Sequence, residues 1–355
     1  MPNSVQTNHQ RQSNIELLRI IAMFLVLLLH ADFLSIGTPT LADLHARPTN
    51  TTLAYFIEAL SIVCVNTFVM ISGWFGIKPK VKSISSFLFQ CLFIYIGIYT
   101  VFLISGLTKL TSYGICDCFF LTKDSWFIKA YILLYILTPA LNALTEKSTK
   151  KQLMLFLIFF YLFHTVYGWA GNSTEYIKGG YSPISFIGLY VLARYIRLYR
   201  PTWSKKSVSA DITIFFGLVA LNAGGTLLTS LLGADTFSFI TKGMVAYSNP
   251  LVIAASLFLL LAFSKFNIQN KSVNWIAASS FTVYLIHANP NILSVYYIPL
   301  CNYLNDLLGA NYFILILPVL AIIFMGCILI DQIRIIIWKR ISRPVEDSIT
   351  KMLRL

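Results

Sequence analysis

The sequence predicts an all-α polytopic membrane bundle with ten transmembrane helices and both termini in the cytoplasm. Three observations predict it: the composition, the lengths of the apolar runs and the placement of the basic residues. Of the 355 residues, 57% are hydrophobic and only 12% are charged, whereas soluble domains carry about 25% charged residues. The mean hydropathy of +0.72 agrees, so a soluble domain of useful size is excluded.

The apolar runs have the length of a bilayer-spanning helix, which is about 20 residues. They fill one predicted transmembrane domain over 15–340, between cytoplasmic tails at 1–14 and 341–355. The second span is the least hydrophobic because it contains Glu58 and Asn66. The predicted spans are 15–35, 54–76, 84–106, 126–144, 152–170, 183–200, 208–232, 247–264, 273–289 and 312–338.

The basic residues set the predicted orientation. Only six of the 27 Lys and Arg residues fall in the predicted outer segments, namely Arg47, Lys109, Lys123, Lys129, Lys178 and Lys242. Cytoplasmic connections of membrane proteins collect Lys and Arg, so this bias favours an even number of spans with both ends inside. It also accounts for the net charge of +13, and no nucleic-acid partner is expected.

The cysteines give a weak signal. Cys116, Cys118 and Cys301 fall in predicted outer loops, which leaves a disulfide to Cys301 open. The C-x-C pair has no neighbouring His, and no cluster with metal-ligand spacing occurs elsewhere. No metal is therefore expected.

The first span carries the strongest candidates for chemistry, because ionisable groups within membrane spans are costly. Arg19 and His30 are eleven residues apart. In an α-helix this places them on one face, about 20° out of register and about 16 Å apart along the axis. Glu16 lies one turn from Arg19 on nearly the same side. Taken singly, Arg19 can be a snorkelling anchor and His30 a packing histidine.

Further motifs follow in order along the chain: Ser72-Gly73 after an aromatic-rich stretch from Cys64, a Trp/Tyr-rich span from Trp126 to Asn142, and Tyr284-Leu-Ile-His287. Together with the Arg19-to-His30 spacing, these stretches resemble the membrane acyltransferase-3 family, the bacterial inner-membrane O-acyltransferases. The resemblance covers about 14 to 289, and ten spans is the architecture of that family.

The resemblance implies transfer of an acetyl group from cytoplasmic acetyl-CoA to a hydroxyl of a cell-surface polysaccharide or of its lipid-linked precursor. The site would lie in the bacterial inner membrane, with acyl-CoA, the glycan and the bilayer as partners. An imidazole titrates near neutral pH, so His30 suits a general base that activates a sugar hydroxyl. Arg19 is expected to act with His30 and to bind the CoA phosphates.

Other candidate residues carry open alternatives. Many family members have a pair of arginines after Ser-Gly, where this sequence has Lys78, Lys80 and Lys82. These lysines either bind the CoA phosphates or are ordinary positive-inside charge. The candidate substrate-binding residues are Glu58, Asn66, Ser72, Trp126 and His287, of which Asn66, Ser72 and Trp126 are candidate donors to the thioester oxygen.

Two alternatives remain. A transporter or flippase of lipid-linked glycans shares the hydrophobicity and the intramembrane charges, although the related halves common in transporters are not visible in the sequence. Within the enzyme class, the transferred group can be succinyl rather than acetyl. Dependence on acyl-CoA separates the transporter from the enzyme.

Overall fold

A computed structural model describes residues 12–170, 174–232 and 243–353. Within these ranges the chain is all helical, without a strand, as predicted. The helices are α1 Ser13–Leu29, α2 Leu41–Ala46, α3 Pro48–Ser61, α4 Val63–Phe75, α5 Val81–Ile104, α6 Ser112–Cys118, α7 Trp126–Lys147, α8 Lys150–Thr165, α9 Pro183–Tyr199, α10 Val208–Leu231, α11 Pro250–Ser264, α12 Lys271–His287, α13 Ile298–Leu308 and α14 Tyr312–Leu353.

Seven helical segments in the described part of the chain are long and apolar enough to cross a membrane. The three remaining predicted spans, 183–200, 247–264 and 273–289, correspond to α9, α11 and α12. These helices have 17, 15 and 17 residues, fewer than the roughly 20 that a full crossing needs. The count of ten spans and the inward termini therefore stay predictions. Most of the predicted N-terminal tail, Lys242 and the last two residues lie outside the described residues.

The predicted span 54–76 consists of two helices, α3 and α4, which meet at Ile62. The Ser61 hydroxyl donates a 2.6 Å hydrogen bond to the carbonyl of Ile57, four residues earlier. Such back-bonding competes with the helical ladder and bends helices. The boundary at Ile62 places Glu58 on α3 and Asn66 and Ser72 on α4.

Local sequence signals set where the later helices begin. Proline occupies the first turn of α3, α9 and α11, where its missing N–H costs nothing. The side chains of Ser182, Asn249 and Asn270 cap α9, α11 and α12 by accepting backbone N–H groups. These caps fix where the three helices begin.

Helix α1 lies at the centre of the bundle and packs against α4, α12, α3 and α11. The first turn of α1 is tied to the end of α11, because the Asn14 side chain donates a 2.9 Å hydrogen bond to the Phe263 carbonyl. Helix α4 approaches α9 closely at Gly73, where a Cβ would lie 2.3 Å from the Tyr190 carbonyl oxygen. Glycine is therefore required at this position of the Ser-Gly motif.

A buried polar network joins α5, α12 and α14. Arg334 donates to both carboxylate oxygens of Asp331, at 2.9 and 2.6 Å, and forms an i,i+3 ion pair with it. Thr282 donates to Asp331 at 2.6 Å and accepts from Gln90 at 2.7 Å. All six cysteines are free thiols, so the structure contains no disulfide to Cys301.

Candidate active site

Two histidines from distant parts of the chain form a hydrogen-bonded pair. His30 Nδ1 lies 3.0 Å from His287 Nε2, and His287 Nδ1 lies 2.6 Å from the Val283 carbonyl oxygen. A carbonyl only accepts, so His287 must carry its proton on Nδ1 and accept through Nε2 when neutral. His30 then donates from Nδ1. Its Nε2 is left with a free lone pair, which is the form that a general base needs.

The backbone around His30 is held in an unusual conformation. Helix α1 ends one residue before His30, and His30–Leu34 continues as one π-helical turn. The Tyr297 hydroxyl donates to the Leu27 carbonyl at 2.7 Å, and the Tyr312 hydroxyl donates to the Ala31 carbonyl at 2.9 Å. Such π turns occur mostly at functional sites. Here the two tyrosines fix the turn that presents His30.

His30 lines a cavity of about 160 Å³ with a largely aromatic and aliphatic wall. Trp126 lies in this wall, with its ring centroid 4.6 Å from that of Tyr181 and 6.1 Å from that of Tyr247. Tyr284 and Phe127 complete the aromatic side. Ligand sites are mostly apolar with a few placed polar groups, and this cavity has that character around the His30 imidazole.

A second cavity, of about 250 Å³, contains Arg19. Arg19 donates a 2.9 Å hydrogen bond to Glu16, one turn earlier on α1. The Ser72 hydroxyl lies 3.1 Å from the Tyr131 hydroxyl in the same wall, and Gln90 also contributes to it. This cavity is therefore the more polar of the two that flank α1.

An aromatic layer of Phe68, Phe127, Tyr131 and Phe281 separates the two cavities. Phe68 and Phe281 line both of them, and their rings stack with centroids 6.0 Å apart. Phe127 faces the His30 cavity and Tyr131 the Arg19 cavity; these two rings also stack, at 6.0 Å. The layer therefore lies between the cavity of Arg19 and the cavity of His30.

Two buried carboxylates lie beyond His30. Asp32 and Glu58 are each 2% exposed. Asp32 Oδ2 and both oxygens of Glu58 have no hydrogen-bond partner of normal geometry, although the Thr38 hydroxyl interacts with Glu58. Buried carboxylates are costly without donors, so this region needs a partner rich in hydroxyl or N–H groups. Asp32 lines a polar cavity of about 230 Å³ whose wall also contains Thr38, Asp43, Arg47, Asn50 and Asn305.

The structure gathers some predicted site residues and separates others. His30 and Trp126 line one cavity, Arg19 and Ser72 line the other, and His287 bonds to His30. Asn66 lines neither, because its amide donates to the Tyr247 carbonyl at 2.9 Å. Lys78 and Lys80, in the loop after α4, and Lys82, in the first turn of α5, are exposed and form no ion pair with any described residue.

Several residues of the site are not among the sequence candidates. Asp32 had a signal, since it is an ionisable residue inside the predicted span 15–35. Tyr131 lies in the Trp/Tyr-rich span from Trp126 to Asn142, but Tyr297 and Tyr312 had no signal, because tyrosine is common in membrane helices and only the fold places these two hydroxyls beside α1. In the described part of the chain, no three His, Cys, Asp or Glu side chains are close enough to share a metal ion.

The long apolar helices and the polar groups buried among them define a multi-pass membrane protein. Residues 12–331 match the family model described as an acyltransferase domain. The chain therefore belongs to the acyltransferase-3 family and is a membrane acyltransferase. No curated protein and no solved structure matches the chain.

Proposed function

We propose that the protein transfers an acetyl group from acetyl-CoA, bound from the cytoplasm, to a hydroxyl of a cell-surface polysaccharide or of its lipid-linked precursor. The site of action is the bacterial inner membrane. The observation that carries this proposal is the His30–His287 pair, which leaves the lone pair of His30 Nε2 in a largely apolar cavity. The family match supports the acyl transfer.

The histidine pair suits both halves of the reaction. His30 Nε2 takes the proton of the acceptor hydroxyl while that oxygen attacks the thioester carbonyl. The new C–O bond forms first and gives a tetrahedral oxyanion. When this intermediate collapses, the C–S bond breaks and the His30 imidazolium gives its proton to the leaving thiolate, which becomes CoA. His287 accepts from His30 Nδ1 throughout and keeps the ring in place. No net proton is consumed.

The tetrahedral oxyanion needs a donor within the His30 cavity. Of the predicted donors Asn66, Ser72 and Trp126, only Trp126 lines that cavity. The Asn66 amide already donates to a carbonyl, and Ser72 lies in the Arg19 cavity. We therefore assign the oxyanion to the indole N–H of Trp126.

The donor and the acceptor approach His30 from opposite sides. Arg19 supplies a positive charge about 16 Å along α1 from His30, so a thin pantetheine arm held at Arg19 has to pass the aromatic layer to reach the base. On the other side, Asp32 Oδ2 is buried without a donor, and the Glu58 carboxylate has no hydrogen bond of normal geometry apart from its interaction with the Thr38 hydroxyl. Sugar hydroxyls supply such donors, so the polar cavity at Asp32 fits the acceptor.

The test is acetyl transfer from radiolabelled acetyl-CoA in membranes that contain the wild-type protein, with the surface glycans of the host as acceptors. His30→Ala is expected to lower the rate by about 100- to 10,000-fold, the usual contribution of a general base. His164→Gln is the matched control. His164 is also buried, but it bonds to Ser185 at 3.0 Å and lines neither cavity.

Each part of the proposal can fail separately. Full activity of His30→Ala would refute the general-base role. Transfer from succinyl-CoA but not from acetyl-CoA would change the acyl group and leave the mechanism intact. If no acyl-CoA serves as donor and labelled lipid-linked glycan crosses the membrane instead, the enzyme proposal is wrong.

A further inference from the structure

A third region of the bundle concentrates positive charge around a cavity that the acyl-transfer chemistry does not use. The cavity, of about 200 Å³, lies where α4, α9 and α11 meet the 3₁₀ turn Thr202–Lys205. The charge bias predicts this end of the bundle to face the cytoplasm. Its wall contains Trp74, Ile196, Arg197, Arg200, Ser204, Lys205, Leu261, Ser264 and Lys265.

Most of this charge is not neutralised. Lys265 pairs with the buried carboxylate of Asp211. Arg197, Arg200 and Lys205 have no carboxylate within ion-pair distance in the described ranges. Three cations therefore line one cavity without a carboxylate partner; Arg197 is half-buried, and Arg200 and Lys205 are exposed.

Trp74 supplies an independent observation. It is 5% exposed, and its indole Nε1–H is buried without an acceptor. The guanidinium carbon of Arg197 lies 4.9 Å from the centroid of the Trp74 ring, a cation–π contact that holds Arg197 at the cavity. A buried donor without an acceptor costs free energy. An anionic oxygen in the cavity would satisfy the indole and the cations together.

The basic cavity is separate from the Arg19 cavity. Ser72 lines the Arg19 cavity and Trp74 lines the basic cavity. Two residues apart on a helix corresponds to about 200° around its axis. The cavities therefore lie on opposite sides of α4, and a CoA molecule whose phosphates are held at Arg19 leaves the basic cavity free.

We propose that the cavity at Trp74, Arg197, Arg200 and Lys205 is a binding site for a phosphate group. Guanidinium and ammonium groups with a neutral N–H donor are the set that recognises phosphate oxygens. Basic pockets between membrane helices at the cytoplasmic side bind the headgroups of anionic lipids. Phosphatidylglycerol is therefore the first ligand to test. The phosphates of CoA are the second source, and that source alone rests on the proposed acetyl transfer.

The experiment measures lipid binding to the purified full-length protein by native mass spectrometry. Phosphatidylglycerol is titrated against phosphatidylcholine, which has a phosphate but no net charge. The combined variant Arg197→Ala, Arg200→Ala and Lys205→Ala is expected to bind phosphatidylglycerol about tenfold more weakly. The control Lys147→Ala, Lys150→Ala and Lys151→Ala removes the same charge from exposed positions. It is expected to stay within about twofold of wild type.

A second arm measures CoA binding to the same variants by calorimetry. A loss confined to CoA assigns the phosphate to the co-substrate, and a loss confined to phosphatidylglycerol assigns it to the lipid; either supports the site. Because the lipid arm needs no activity, a chain that binds phosphatidylglycerol but transfers no acetyl refutes only the proposed function. Unchanged binding of both ligands, or an equal loss in the control, overturns the phosphate site.

Trp74→Phe decides the question if the combined variant does not fold. This change keeps an aromatic ring under Arg197 but replaces the indole with a smaller phenyl ring that has no N–H. A drop of about fivefold in binding of the same ligand supports the site. Binding of both ligands at the wild-type level by Trp74→Phe would then refute it.

Discussion

The two ends of α1 differ in how they hold their functional residue. His30 is fixed by a chain of hydrogen bonds that runs through His287 to a backbone carbonyl, and two tyrosine hydroxyls secure the adjacent π turn. Arg19 has one neighbour of opposite charge, Glu16, on the same helix. The His30 end is thus pre-organised by the tertiary fold, whereas the Arg19 end is organised by α1 itself.

This difference matches the tasks that the proposal gives to the two ends. A general base needs one ring orientation and one tautomer, and a displacement of about 1 Å can cost 100-fold in rate. A phosphate-binding arginine needs charge at roughly the right place, because electrostatic attraction tolerates small displacements. Substitutions at the His30 end should therefore affect the chemical step, and those at the Arg19 end should affect donor binding.

The largest expected effect, after loss of His30 itself, comes from His287. His287→Leu removes the acceptor for His30 Nδ1–H, so the ring can turn and change tautomer. The expected result is a fall in kcat of about 100-fold with an unchanged KM for acetyl-CoA. His287→Gln retains an amide oxygen that can accept this hydrogen bond and should recover part of the rate. Equal activity of the Leu and Gln variants would argue against a positioning role.

Arg19 should show the opposite pattern. Arg19→Ala removes a charge-assisted contact and is expected to raise the KM for acetyl-CoA by about 10- to 100-fold with little change in kcat. Arg19→Lys keeps the charge but loses the planar guanidinium group. Its KM for acetyl-CoA should lie between those of the wild type and Arg19→Ala. Acetyl-pantetheine lacks the nucleotide phosphates, so its KM should not respond to either change. A fall in kcat with an unchanged KM would show that Arg19 acts in the chemical step and not in donor binding.

Sequence patterns predicted the site best where a single helix decides the geometry. The composition predicts the helical class, and the helical repeat predicts that Arg19 and His30 lie on one face of α1. The local pair Asp331–Arg334 follows from i,i+3 spacing in the same way. The His30–His287 bond joins residues 257 positions apart, and no periodicity predicts a contact at that separation.

The features that the sequence did not predict also depend on contacts between residues that are distant in the sequence. The aromatic layer needs rings from three helices, α4, α7 and α12, in contact with one another. The basic cavity needs Trp74 to face Arg197 from another helix. The span count also depends on the fold, since short helices such as α11 pack among longer neighbours and cannot be judged by hydropathy alone.

The aromatic layer divides the two ends, and Phe281→Ala tests the division. Removing this ring would join the two cavities and leave room for a larger acyl group. The expected result is a rise of about tenfold in the rate with butyryl-CoA relative to acetyl-CoA, the usual effect of one or two methylenes. Phe324→Ala is the control, because Phe324 is a buried ring that lines neither cavity. The same rise in both variants would point to general loosening of the bundle.

The smallest expected effect belongs to the three lysines that follow α4. Lys78, Lys80 and Lys82 are exposed and unpaired with any described carboxylate, so each contributes a screened charge to donor binding. Changing all three to Ala should raise the KM for acetyl-CoA by less than about threefold, against 10- to 100-fold for Arg19→Ala. The rise should vanish at 0.5 M salt, whereas that of Arg19→Ala should persist. A tenfold rise that survives high salt would show that these lysines contact the phosphates directly, which would extend the donor site from α1 to the loop after α4.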